Sequence, residues 1–146
     1  MTSANFAVHA DAIIPVSGPE NVLKSHSIVV RQGFIDALMP HAQARALSDI
    51  DHVELPDHVL MPGLVNAHGH AGMTLLRGYA DDMSLASWLN DKIWPLEARW
   101  VSPQFVRDGT DIAAAEMLLS GITTTSDMYF FPDIAAQSLR AAGMRT

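Results

Sequence analysis

Beyond Pro62-Gly63 the chain alternates extended and helical segments, and this order limits the folds that it can adopt. Residues 64–70 predict one buried strand, and residues 122–128, which are rich in β-branched side chains, predict a second. A helix is predicted between them over residues 102–121. Strand, helix and strand in this order predict parallel strands with right-handed crossovers, the unit of α/β barrels and doubly wound sheets.

The helix signals in this part of the chain are specific. Ser102 and Pro103 form an N-cap and first-position pair, and the helix that they open carries Val106, Ala113 and Met117 on one face. The other elements predicted here are a short helix around 85–92 within an irregular stretch at 71–101, a helix at 133–142 that ends at Gly143, and the start of a third strand at 144–146.

The first 61 residues have a different organisation. Five short extended segments are separated by turn residues, among them Gln32-Gly33 and Pro56-Asp57, the latter pair dividing HVEL from HVLM. Residues 42–47 add at most one helical turn. The pattern predicts two domains, a small sheet over 1–61 and an α/β unit over 62–146.

Composition excludes several classes of protein. Nine basic and 16 acidic residues give a net charge of −7, which argues against a nucleic-acid partner. No stretch approaches the about 18 uninterrupted apolar residues of a membrane span, and the N-terminus lacks the features of a signal peptide, so a cytoplasmic protein is expected. Because the chain has no cysteine, His, Asp and Glu are the only plausible metal ligands.

Two histidines one residue apart end the first predicted strand of the α/β unit. Residues i and i+2 of a strand point to the same face, so His68 and His70 would project together about 6 to 7 Å apart. Two imidazoles at that spacing can reach one ion at Zn–N distances of about 2.0 to 2.1 Å. The residues alone leave two interpretations open: a shared metal, or two polar side chains that happen to end a strand.

A run of segments in this order resembles a known family. MPGLVNAHGHAGMTLLRGYADD, followed by WL, IWPLE and GITTTSDMYF, resembles the amidohydrolase superfamily, within its branch of aminohydrolases and chlorohydrolases. The likeness is greatest to deaminases of S-adenosylhomocysteine and 5′-methylthioadenosine. It implies the N-terminal part of a metal-dependent (β/α)8 TIM barrel, truncated after its first βα units, preceded by strands of a small β-sandwich. A closed barrel typically needs about 250 residues, far more than follow Met61.

The resemblance also implies roles for three side chains. His68 and His70 match the histidines that bind one divalent metal per subunit, usually zinc, and Glu97 matches the glutamate of a W-P-x-E stretch that binds the ribose hydroxyls of a nucleoside. Gly69 stands where many relatives have threonine, and little effect on the metal is expected. The third metal histidine and the catalytic groups are expected beyond Thr146, so no catalytic residue is assigned.

The implied activity of the complete enzyme is a hydrolytic deamination. Zinc activates water for attack on the purine carbon that bears the amino group, and ammonia is released. Guanine deaminase and triazine hydrolase of the same superfamily are alternatives, as is a non-catalytic domain or fragment. The expected partner is a small nucleoside, with no nucleic acid and no membrane, and a homo-oligomer is possible because the family tends to dimers or tetramers.

Other polar and aromatic residues are weaker candidates. Asp127, at the end of the second strand, is expected to cap a loop rather than to act in catalysis. Arg77 is expected to pair with Asp81 or Asp82. Trp88, Trp94 and Trp100 either line a pocket for a flat base or pack in the core, and the remaining histidines are expected at the surface or in turns: His9, His26, His41, His52 and His58.

Overall fold

The computed structural model describes residues 5–18 and 22–146, which divide into two compact units between Pro62 and Gly63. The first unit is a sheet of five strands. Its central strand β1 (Phe6–Ile13) pairs antiparallel with β2 (Leu23–Lys24) and β3 (His26–Arg31), and parallel with β5 (Asp51–Leu60). Strand β4 (Phe34–Pro40) pairs antiparallel with β3 and leads into the single helical turn α1 (His41–Arg45).

Strand β5 corrects the prediction of two segments divided at Pro56-Asp57. The ten residues form one strand, and its pairing with β1 shifts register between Ala10 and Ala12. Asp57 has a φ of 61°, and its backbone N–H donates to Asp11 Oδ2 at 3.1 Å. Turn residues here produce a bulge rather than a break, because the two extra residues of β5 are absorbed opposite β1, with Pro56, Asp57 and His58 facing Asp11.

His9 corrects the expectation that the histidines of this unit lie at the surface, since it is only 2% exposed. Its Nδ1 lies 2.6 Å from Ser27 Oγ, which lies 2.7 Å from His41 Nδ1, and its Nε2 lies 2.9 Å from His52 Nδ1. His52 Nε2 lies 2.9 Å from the Leu47 carbonyl and must donate to it. His52 Nδ1 therefore accepts from His9, His9 Nδ1 accepts from the Ser27 hydroxyl, and Ser27 accepts from His41, so that each of these four contacts pairs one donor with one acceptor.

This network predicts acid sensitivity of the first unit. Burial lowers the pKa of His9 despite the opposing charge of Glu54, so at mildly acid pH the unfolded chain, with a histidine pKa of about 6.5, binds more protons than the folded chain. Stability is then lost as pH falls through that value. We expect the free energy of unfolding, followed by circular dichroism in urea, to fall between about pH 7.5 and 5.5, and to fall less in His9→Gln.

His58→Gln is the matched control for this prediction, because His58 is exposed and its Nδ1 contacts only the Pro56 carbonyl, at 2.7 Å. It should keep the full pH dependence. An unchanged slope in His9→Gln would mean that the proton uptake on unfolding occurs elsewhere.

The second unit contains two parallel strands, as the order of elements predicts. Strand β6 (Leu64–Gly69) pairs with β7 (Ile122–Asp127), and Arg145 bridges to Thr124 in parallel where a third strand was expected. The prediction that β6 is buried is wrong for this chain: Leu64 is 48% and Val65 66% exposed. Within the part of the chain that the structure describes, β6 pairs with β7 alone, so its side chains lack the neighbours that a larger sheet would supply.

The stretch at 71–101 is more helical than predicted. A 3-10 helix (Ala71–Leu76) follows β6, and α2 (Leu85–Ser87) continues through a π-helical turn (Trp88–Ile93) into α3 (Trp94–Trp100). The predicted end near residue 92 is therefore too early. Pro95, which has no backbone N–H to donate, stands where the π-helical turn passes into α3.

Helix α4 (Pro103–Leu119) begins as predicted, with the Ser102 hydroxyl accepting from the Phe105 N–H at 3.2 Å. Val106 is fully buried and Ala113 is 7% exposed, which confirms the predicted inner face. Helix α5 (Pro132–Ala141) packs on α4, where Ala114, Leu139 and Met144 form a buried cluster. No helix among the described residues has the length and apolar character that a membrane crossing requires.

Two glycines allow the 3-10 helix to lie directly against α4. A Cβ on Gly109 would overlap the carbonyl oxygen of Gly72 and lie 3.0 Å from the Gly72 Cα. A Cβ on Gly72 would in turn lie 2.8 Å from Tyr129 Cδ1. These contacts place the segment after β6 and the segment after β7 side by side.

Candidate functional site

His68 and His70 lie close together where β6 ends. Their ring centroids are 5.0 Å apart with an interplanar angle of 86°, and both side chains are exposed. His70 Nδ1 lies 2.6 Å from the carbonyl oxygen of Met128 and donates to it. This hydrogen bond fixes the tautomer of His70 and leaves the lone pair of Nε2 free to bind a metal, an arrangement typical of metal-ligating histidines.

The imidazoles of His68 and His70 fit part of a zinc site. Two imidazoles are suitable zinc ligands, whereas catalytic zinc normally has three protein ligands and a water. Among residues 5–18 and 22–146, no group of three or more His, Cys, Asp or Glu side chains is placed to hold a metal ion. The described residues therefore offer two of the ligands that such a site needs.

The segment after β7 is hydrogen-bonded to the histidine segment at several points. The Met128 N–H donates to the Gly69 carbonyl at 2.8 Å, and Asp127 Oδ1 accepts from the Ala71 N–H at 2.5 Å. Asp127 thus caps the turn that follows His70, the role expected for it. A Cβ on Gly69 would lie 3.0 Å from Asn66 Nδ2 and 3.8 Å from Asp127 Oδ1, so a larger residue there would point toward these polar groups.

A cavity of about 620 Å³ brings His70 and Glu97 together. Trp88 and Trp94 line it, whereas Trp100 lies with its ring 5.0 Å from the Arg99 guanidinium carbon. The cavity is mainly apolar and aromatic, which suits a flat heterocycle. Its other lining side chains include Met73, Met128, Tyr129 and Phe130.

Glu97 is half-buried and hydrogen-bonded rather than fully solvated. The Tyr129 hydroxyl donates to Glu97 Oε1 at 2.8 Å. Burial, and then the hydrogen bond to this carboxylate, raise the pKa of the Tyr129 phenol, which stays protonated and able to donate. Tyr129 was not predicted as a site residue; its position just after the end of β7 is the signal that could have found it, because strand ends line such sites.

Arg77 does not form the ion pair that was predicted for it. Its guanidinium forms two hydrogen bonds with Glu116 of α4, at 2.8 and 2.6 Å, instead of pairing with Asp81 or Asp82. The bidentate pair is exposed and links the end of the 3-10 helix to α4. It stands apart from the Glu97 cavity, among whose lining residues neither partner is found.

The fold and the site together define an α/β protein with paired histidines, one of which, His70, shares an aromatic cavity with the Glu97 carboxylate. Residues 59–146 match the amidohydrolase family, and the chain belongs to that family.

Named relatives support the same family. The chain is 48% identical over 145 residues to the 5-methylthioadenosine/S-adenosylhomocysteine deaminase of Saccharophagus degradans and 46% identical to that of Teredinibacter turnerae, covering 99% of this chain in both cases. It spans about a third of their length, 32% and 33%. A crystal structure of a Xanthomonas campestris adenosine deaminase with bound zinc matches with a TM-score of 0.93 and 44% identity, over 97% of this chain and 33% of that one.

Proposed function

We propose that the complete protein is a zinc-dependent deaminase of adenosine-type thioether nucleosides, S-adenosylhomocysteine and 5′-methylthioadenosine, that releases ammonia. The observation that carries the proposal is the cavity shared by His70 and Glu97, a metal-ligand candidate and a hydroxyl-binding candidate. The names of the relatives at 46% and 48% identity favour this substrate class over guanine and triazines.

The proposed architecture assigns residues 1–61 to part of a β-sandwich and residues 62–146 to the first βα units of a (β/α)8 barrel. The parallel pairing of β6 with β7, and the bridge from Thr124 to Arg145, support a barrel built in chain order. In such a barrel the carboxyl ends of the strands line the active site, which is where His68 and His70 stand.

Each proposed site residue has a separate task. His68 and His70 would hold one zinc ion per subunit, with His70 oriented by the Met128 carbonyl. When bound, zinc makes water reactive toward the purine carbon at neutral pH. Glu97 accepts hydrogen bonds from two adjacent ribose hydroxyls through its carboxylate. Trp88 and Trp94 supply apolar surface for the purine.

The test is ammonia release by the full-length protein, loaded with zinc, from a panel of substrates: 5′-methylthioadenosine, S-adenosylhomocysteine, guanine and a chlorinated or amino-substituted triazine. We expect turnover of the two thioether nucleosides. Turnover of guanine or the triazine alone would overturn the substrate class and keep the family chemistry. No turnover of any substrate by protein that contains zinc would favour a non-catalytic role.

The same assay tests the proposed role of Glu97 in binding the ribose. We expect Glu97→Gln to raise KM for the ribonucleosides, because an amide offers one acceptor oxygen in place of two and carries no charge.

The homo-oligomer remains part of the proposal and is tested by the mass of the assayed protein in solution.

A further inference from the structure

Met128 and Tyr129 touch both halves of the proposed site. The Met128 carbonyl accepts from His70 Nδ1 at 2.6 Å, and the Tyr129 hydroxyl donates to Glu97 Oε1 at 2.8 Å. We infer that Tyr129 is a positioning residue, which holds the Glu97 carboxylate in the orientation that binds ribose hydroxyls and in register with His70. The inference rests on the proposed function, since it concerns how Glu97 meets its substrate.

The hydrogen bond from Tyr129 limits what Glu97 can do. A glutamate side chain has three rotatable bonds, and an unrestrained carboxylate at a cavity wall samples several orientations, which a ligand must restrict on binding. Tyr129 takes one lone pair of Oε1 and so restrains the position of the carboxylate. Oε2 and the remaining lone pairs stay available for a pair of adjacent hydroxyls.

The Tyr129 ring is itself held by packing. A Cβ on Gly72 would lie 2.8 Å from Cδ1 and 2.9 Å from Cε1 of this ring, so the ring lies directly on the glycine backbone. Phe130 packs edge-on against it, with centroids 5.1 Å apart and planes at 73°. The phenol therefore has little freedom to leave Glu97.

The backbone of the same segment is anchored to the histidine strand. The Met128 N–H donates to the Gly69 carbonyl at 2.8 Å, while the Met128 carbonyl accepts from His70. Two successive residues thus hold His70 on one side and Glu97 on the other. The distance between the proposed metal ligand His70 and the proposed ribose-binding residue Glu97 is therefore set by this segment as well as by α3.

The test compares the binding of two unreactive nucleosides to the full-length protein by calorimetry. Inosine has both ribose hydroxyls and no amino group to lose, and 2′,3′-dideoxyinosine lacks the hydroxyls. We expect wild type to prefer inosine, and Tyr129→Phe to weaken inosine binding roughly 10-fold while leaving dideoxyinosine unchanged. In turnover, KM for 5′-methylthioadenosine should rise with kcat nearly unchanged.

Tyr79→Phe is the matched control, because Tyr79 is the only other tyrosine of the chain and is 54% exposed. Gly72→Ala provides a second variant that displaces the Tyr129 ring without removing its hydroxyl, and it should show the same selective loss for inosine. Equal weakening of both nucleosides in Tyr129→Phe, or of neither, would overturn the inference. Equal binding of both by wild type would overturn the ribose role of Glu97 first, and the inference with it.

Discussion

Replacing His70 by alanine in the full-length protein is expected to abolish stoichiometric zinc binding and ammonia release. The imidazole is exposed and its Nδ1 is satisfied by the Met128 carbonyl, so its free Nε2 is the atom that the substitution removes from the metal. Loss of an outer-shell partner alone typically costs about 10- to 100-fold in metal affinity or activity, and loss of a ligand should cost more. Zinc per protein molecule and initial rates of ammonia release measure the two effects.

The fold should survive this substitution, because an exposed neutral hydrogen bond contributes only about 1 kcal/mol. His58→Ala is the control: His58 is also exposed and also hydrogen-bonded to a nearby carbonyl, but it lies in β5 of the first unit. It should retain both zinc and activity. If His70→Ala kept a full equivalent of zinc, the paired histidines would not be the metal site.

The elements of the second unit follow from local signals, which is why the sequence predicts them well. The Ser102-Pro103 cap is a property of adjacent residues, and the turn at Gly121 has a φ of 80°, a conformation that glycine adopts freely. The parallel pairing of β6 and β7 follows from the long helical connection between them.

The elements that were wrongly predicted depend on residues far along the chain. Strand β5 passes through Pro56-Asp57 because β1, more than 40 positions earlier, supplies the pairing and the Asp11 carboxylate. His9 is buried because Ser27 and His52 satisfy both of its nitrogens. No local pattern around His9 encodes those partners.

The site residues divide in the same way, into those that local sequence predicts and those that depend on residues far along the chain. The spacing of His68 and His70 is a strand property and can be deduced from sequence, whereas a role for Glu97 follows only from resemblance to a family. Its contact with Tyr129 joins residues 32 positions apart and requires the 3-10 helix to bring Gly72 beneath the ring. Side chains that orient other side chains are the hardest to predict from a single sequence.

Replacing Gly109 by alanine is expected to destabilise the second unit, although the same change elsewhere in a helix stabilises it by up to about 1 kcal/mol. Gly109 is buried in α4, and an added Cβ would meet the carbonyl oxygen, carbon and Cα of Gly72, the last two at 2.9 and 3.0 Å. Those atoms are backbone and cannot rotate away. Overpacking of this kind typically costs about 1 to 3 kcal/mol, and the net effect should therefore have the opposite sign to helix propensity.

The measurement is urea unfolding of the full-length protein followed by tryptophan fluorescence, to which Trp88, Trp94 and Trp100 of this unit contribute. Ala115→Gly, at an exposed position of the same helix, sets the scale of propensity alone and should cost about 1 kcal/mol. Because the Gly72 backbone also supports the Tyr129 ring, Gly109→Ala should weaken inosine binding as well as stability. A variant as stable as wild type would show that the 3-10 helix moves away from α4 without cost, and that its close contact does not hold the site together.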